Sequence, residues 1–155
     1  MKLILLLFAV LLLIIVGIQF SQKYFTGNIS IFSQGPTATI KNQSFKLNYA
    51  KSEKEREIGL SQKKSMPENY GMLFTFDKAD LYPFWMRDME FPIDIIYINN
   101  NKIVTIYSSA QPPKNTTDSL PIYKPDNAAN MVLEINAGLS DKYGFQKGDE
   151  VKISK

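Results

Sequence analysis

The stretch Phe84-Trp85-Met86-Arg87-Asp88-Met89-Glu90-Phe91-Pro92-Ile93-Asp94-Ile95-Ile96-Tyr97-Ile98 decides the fold. It holds the chain's only Trp and one of its two arginines. Pro92 divides it. An aromatic segment ending in charge comes before; an apolar, β-branched run interrupted by one carboxylate, Asp94, comes after. Such a run, closed by the turn Asn99-Asn100-Asn101, reads as a buried strand. Asp94 then enters an apolar layer, where an ionised carboxylate needs partners. The spacing predicts that residues 102–107 fold back on 93–98 as a hairpin.

Working outward from that hairpin, the flanking segments read as short strands. Residues 37–41 and 44–50 surround a turn at Lys41-Asn42-Gln43, and Phe45, Leu47 and Tyr49 alternate with polar residues, the period of a half-buried strand. Residues 72–76, 131–136 and 150–154 read the same way. Glu134 falls on the strand face opposite Met131, Leu133 and Ile135. Between residues 51 and 60 the composition turns to charge. Ser52 followed by Glu55 fits a capping box, so a short helix ending near Gly59 is predicted, with Arg56 either on its solvated face, the favoured reading, or serving a site. A second short helix is expected over 138–144, closed by a C-terminal glycine. Residues 108–127 carry four prolines and no periodicity, the mark of a long loop. No long amphipathic helix separates the strands, so parallel winding is not expected. Several strands are apolar on both faces. The predicted fold is mainly β, a small antiparallel β-barrel or sandwich with two short helices.

The N-terminus has a different character. Residues 3–18 are apolar apart from Gly17, and about 18 helical residues span roughly 27 Å, close to the hydrocarbon thickness of a bilayer. Val16-Gly17-Ile18-Gln19-Phe20-Ser21 gives no Ala-x-Ala cleavage pattern. Residues 1–20 are therefore read as a transmembrane signal-anchor, 21–36 as a tether and 37–155 as a single β-rich domain. The layout places the domain outside the cytoplasm, at the cell surface or in the periplasm. Secretion after cleavage is the alternative.

Composition excludes much chemistry. The 155 residues include no Cys and no His, so Ser-His-Asp triads, Cys-His dyads and zinc sites built on those ligands are impossible. No disulfide can form. Asp77, Asp80, Asp88 and Glu90 lack the spacing of a calcium loop; no metal and no cofactor is predicted. The net charge of +3, with basic residues scattered, does not suggest a nucleic acid partner.

The residues also match a pattern. Glu55-Arg56-x-x-Gly59-Leu60, Met66-Pro67-x-x-x-Gly71-Met72-Leu73-Phe74-x-Phe76, Phe84-Trp85-Met86-Arg87 and Pro92-Ile93-Asp94-Ile95-Ile96-Tyr97-Ile98 resemble the domain-of-unknown-function 192 family. Val132-Leu133-Glu134-Ile135, Gly138 and Gly144-Phe145-x-x-Gly148-Asp149-x-Val151 extend the resemblance over about 45–153. It implies a small, mostly β domain, commonly behind a signal or anchor segment. It implies no agreed activity. The chain departs from the common pattern at Ser61-Gln62-Lys63, at Asp88-Met89 and in lacking cysteine.

Trp85, Arg87, Asp94, Tyr123 and Glu134 are the candidate binding residues. Asp94 and Glu134 are the only catalytic candidates: brought to one face, they would form a carboxyl pair with one raised pKa. Held apart, each would accept hydrogen bonds from backbone N–H groups or from Arg87 and serve the fold. The leading expectation is a membrane-anchored binding or accessory module for an envelope component or small ligand. The alternatives are a carboxylate-based hydrolase acting on envelope glycan and a purely structural subunit.

Overall fold

A computed structural model describes residues 35–114 and 120–154. The predicted anchor and tether lie outside the described residues, apart from Gly35 and Pro36. Among the described residues, no helix is long and apolar enough to cross a membrane.

The elements are β1 (Thr37–Ile40), β2 (Gln43–Ala50), α1 (Glu53–Ile58), β3 (Tyr70–Asp80), β4 (Ile93–Asn99), β5 (Lys102–Ala110), β6 (Ala129–Asn136), α2 (Leu139–Lys142) and β7 (Val151–Ser154). They form one seven-stranded sheet in the order β5-β4-β6-β3-β2-β1-β7. The sheet curls until its edges meet. Lys102 bridges to Glu150, and Ile103 N–H donates to Asp149 O at 3.0 Å while Val151 N–H donates to Asn101 O at 2.8 Å. The edge strands are thereby stitched at one end into a barrel-like form, which satisfies part of the backbone that an open edge would expose.

The pairing is not wholly antiparallel as expected. β2 and β3 run parallel, with Lys46 opposite Tyr70 and Ala50 opposite Phe74. A parallel pair needs a crossover of a dozen or more residues. Residues 51–69 supply it, and the six residues of α1 are enough helix for the purpose. The β4–β5 hairpin forms as predicted, with Asn99 opposite Lys102. Asn100 and Asn101 take φ of 48° and 61° in its turn, a backbone region that Asn tolerates better than most residues.

Burial on both faces of β4 explains its unbroken apolar sequence. All seven strands contribute to an inner core that includes Ile40, Phe45, Leu73, Ile96, Ile98, Leu133, Ile135 and Val151. On the other face of β3, β4 and β6, a second layer gathers Phe74, Ile93, Ile95, Tyr97 and Val132 under Leu60, Met66, Met86 and Phe91. The segments after α1 and before β4 are therefore the lid of that second core. Gly71 lets β3 and β6 approach closely: a Cβ there would lie 2.9 Å from Leu133 Cδ1 and 3.0 Å from the Glu134 carbonyl.

Candidate functional site

The two buried carboxyl groups do not share a face. β4 and β6 pair with Asp94 opposite Ile135 and Ile95 opposite Glu134. Side chains alternate along strands, so Asp94 faces the inner core with Ile96 while Glu134 faces the second layer with Val132. The carboxyl pair considered from sequence is not formed.

Asp94 is fully buried and bound by backbone alone. Its Oδ1 accepts from Ser109 N–H at 2.7 Å and Gly138 N–H at 2.8 Å, and its Oδ2 accepts from Ser140 N–H at 2.7 Å. Gly138, the residue before α2, has φ of 79° and supplies no side-chain cap. The Asp94 carboxylate, coming from a distant strand, caps that helix instead and meets N–H groups left without intrahelical partners. Ser109, with φ of 54°, turns its own N–H onto the same oxygen. The Arg87 guanidinium, the other donor considered for Asp94, lies 5.2 Å from the Trp85 ring centre.

Glu134 sits in the floor of a cleft of about 460 Å³ between α1 and the segment joining β3 to β4. Its residue is 6% exposed. Burial, with no compensating hydrogen bond among the described residues, pushes its carboxyl up to about 8. At neutral pH it is therefore a neutral acid with one O–H to donate. Burial likewise pushes the Tyr97 hydroxyl up, and it donates to Tyr123 O at 2.8 Å.

Local sequence builds the rest of the cleft. Ser52 Oγ accepts from Glu55 N–H at 3.2 Å, and Glu55 Oε2 accepts from Ser52 N–H at 2.8 Å, the reciprocal capping box. Gly59, with φ of 48°, ends α1, and a Cβ there would lie 3.3 Å from Phe74 Cζ. α1 thus projects Arg56 across the cleft wall. Its guanidinium donates to Thr75 O at 3.1 Å and to Lys51 O, and lies 5.0 Å from the Phe76 ring centre. Phe76 stacks on Tyr82 at 3.7 Å. Opposite, Phe84 N–H donates to Tyr123 O at 2.8 Å and Tyr123 N–H to Phe84 O at 2.9 Å. That strap fixes an alternation: Phe84 half-buried against Phe74, Trp85 exposed, Met86 buried, Arg87 exposed.

Of the residues singled out from sequence, Trp85, Arg87 and Glu134 line the cleft. Asp94 holds the fold elsewhere, and Tyr123 supports Phe84 through its backbone. Arg56, for which the sequence favours a solvated helix face over a functional role, lines the cleft as well. The available signal was rarity: sixteen of the eighteen basic residues are Lys, so two arginines stand out. Neither takes part in an ion pair among the described residues. Among those residues no three carboxylates gather closely enough to hold a metal ion.

A seven-stranded barrel-like sheet with an aromatic cleft on its outer layer makes residues 35–154 a small β-rich domain. The chain belongs to the DUF192 family, described as an uncharacterized ACR, whose family pattern matches residues 36–153. Among solved structures it is similar to a protein of unknown function from Novosphingobium aromaticivorans, 28% identical, with a TM-score of 0.65 over 76% of this chain and 82% of that one. It is also similar to a protein from Sinorhizobium meliloti described as a proposed transcription regulator, 25% identical, with a TM-score of 0.65 over 78% of this chain and 95% of that one. A search of curated proteins gave no match.

Proposed function

We propose that the domain is a binding module and that the cleft over Glu134 is its ligand site. One observation carries this: both arginines, the only Trp and a buried carboxyl with no hydrogen bond among the described residues converge on one opening of about 460 Å³. Ligand sites are typically clefts of about 300–1,000 Å³ with apolar walls and a few aimed polar groups. Trp85 is 43% exposed and Glu134 is held neutral, arrangements that contribute little to stability and suit recognition. The apolar stretch 3–18 supports a display of this module on an N-terminal membrane anchor, outside the cytoplasm, where an envelope component is the nearest partner. A role on DNA, which the Sinorhizobium relative's description would suggest, has weaker support: the charge is nearly balanced, and the convergent groups sit in a pocket rather than along a basic face.

The test is chemical-shift mapping with a library of small neutral, anionic and cationic ring compounds. Binding compounds should move the signals of Arg56, Gly59, Trp85 and Arg87. Compounds that bind only elsewhere, or a library with no binder at millimolar concentration, would overturn the assignment of the site.

A further inference from the structure

The cleft's chemistry narrows what it takes, given that it is the ligand site. Its floor offers a proton: the Glu134 carboxyl has one O–H and no partner for it among the described residues. Its walls are apolar and ring-lined, with Phe74 and Phe84 edge to face at 5.0 Å and Met89 beside them. Its mouth holds Arg87, whose guanidinium makes no hydrogen bond among the described residues and lies over the Trp85 ring, and Arg56, which keeps donors beyond the two directed at backbone carbonyls.

A guanidinium matches a carboxylate through two parallel N–H donations. Glu53 and Glu57 border the same mouth. Two arginines against two glutamates leave the mouth without net positive charge, so the cost of desolvating the ligand, which rises with its charge, disfavours a dianion such as phosphate more than a monoanion. The faces of Phe76 and Trp85 are already shared with guanidinium groups, which leaves poor provision for a cationic ligand.

We propose that the cleft binds a small ring-bearing monocarboxylate, with its carboxylate at Arg87 and Arg56, its ring between the aromatic walls and an acceptor atom at the far end of the ring on the Glu134 proton. Among the described residues, the charged and titratable groups around Glu134 are Glu53, Arg56 and Glu57 on α1, Tyr82 and Arg87 on the connecting segment and Tyr97 on β4. Ionising Glu134 would remove the donor and place a negative charge against the ligand's acceptor.

Titration calorimetry on the full chain in lipid nanodiscs, with empty nanodiscs as the blank, tests this with four probes: 4-hydroxyphenylacetate, phenylacetate, 4-hydroxybenzyl alcohol and tyramine. The expected order puts 4-hydroxyphenylacetate first, about tenfold or more tighter than the neutral alcohol or the amine. Phenylacetate, without an acceptor for Glu134, should bind more weakly than its hydroxylated counterpart. Arg87→Gln should weaken 4-hydroxyphenylacetate about tenfold, and Arg87→Lys less. Affinity should fall as pH rises from 7 through 9 in the native chain and stay level in Glu134→Gln, which retains an N–H donor. Equal or tighter binding of the alcohol or tyramine, or an Arg87→Gln loss under about twofold, would overturn the carboxylate assignment. So would silence from all four probes. The cleft itself is judged separately by the shift mapping, whose library includes neutral and cationic rings.

Discussion

Asp94 and Glu134 stand on adjacent strands one register position apart and face opposite sides of the sheet, because Ile95 rather than Asp94 pairs with Glu134. That single step separates two buried carboxyl groups into two kinds of work. Asp94 meets three backbone N–H groups and joins β4, the end of β5 and the start of α2. Glu134 meets none among the described residues and faces the cleft.

Asp94→Asn should be strongly destabilising. The amide keeps one acceptor but loses the charge and turns an NH₂ group toward an N–H donor. Hydrogen bonds to charged groups contribute about 1.5–3 kcal/mol each, so a loss of roughly 3 kcal/mol or more is expected in urea denaturation. An unchanged midpoint would show that the bonds to Ser109, Gly138 and Ser140 do not hold the fold.

The pH dependence of stability should carry the signature of Glu134. Its carboxyl is raised from the ordinary glutamate value of 4.5 to about 8 in the folded protein. Below the unfolded value both states are protonated and nothing is lost. As pH climbs from about 4.5 to 8 the unfolded chain ionises and the folded one does not, so stability falls and levels off above the folded value. At about 1.4 kcal/mol per unit, the loss is up to roughly 5 kcal/mol. Glu134→Gln should flatten that part of the profile and be more stable than the native chain at pH 8. A Gln variant with the same slope would assign the dependence to other groups.

Gly71→Ala should cost about 1–3 kcal/mol, the usual penalty of overpacking, because the new methyl would meet Leu133 and the Glu134 carbonyl at about 3 Å. A midpoint shift in guanidinium chloride measures it. A neutral outcome would mean that β3 and β6 can part without loss.

The full chain should sediment with membranes and resist carbonate extraction, and a chain lacking residues 1–20 should not. A mature N-terminus between residues 17 and 27, found by mass spectrometry, would contradict the anchor and point to secretion.

Much of the barrel was legible in the sequence because its strands advertise themselves locally. The run after Pro92 and its Asn-rich turn specified the hairpin, and Ser52 with Glu55 specified the capped helix. The need of Asp94 for several donors followed from burial alone. Which donors answered could not be read, since Ser109 and Gly138 lie 15 and 44 residues away. The parallel β2–β3 pair was missed because a crossover as short as α1 and its return leaves no helical periodicity strong enough to announce it. The relation of Asp94 to Glu134 depended on the β4–β6 register, and a slip of one residue exchanges the faces. Arg56 was hidden by its neighbours: on a charge-dense helix, one guanidinium turned toward Thr75 and Phe76 looks like the rest of a solvated surface.

The central claim is that Glu134 remains a neutral hydrogen-bond donor in the floor of the cleft at physiological pH. The most direct measurement follows the carbon-13 shift of its side-chain carboxyl against pH in the native chain, assigned by its disappearance in Glu134→Gln. The expected midpoint is about 8, well above those of the exposed glutamates. A midpoint between about 4 and 5, the ordinary glutamate range, would mean a wet, ionised floor, and would contradict both the cleft's donor and the ligand class built on it.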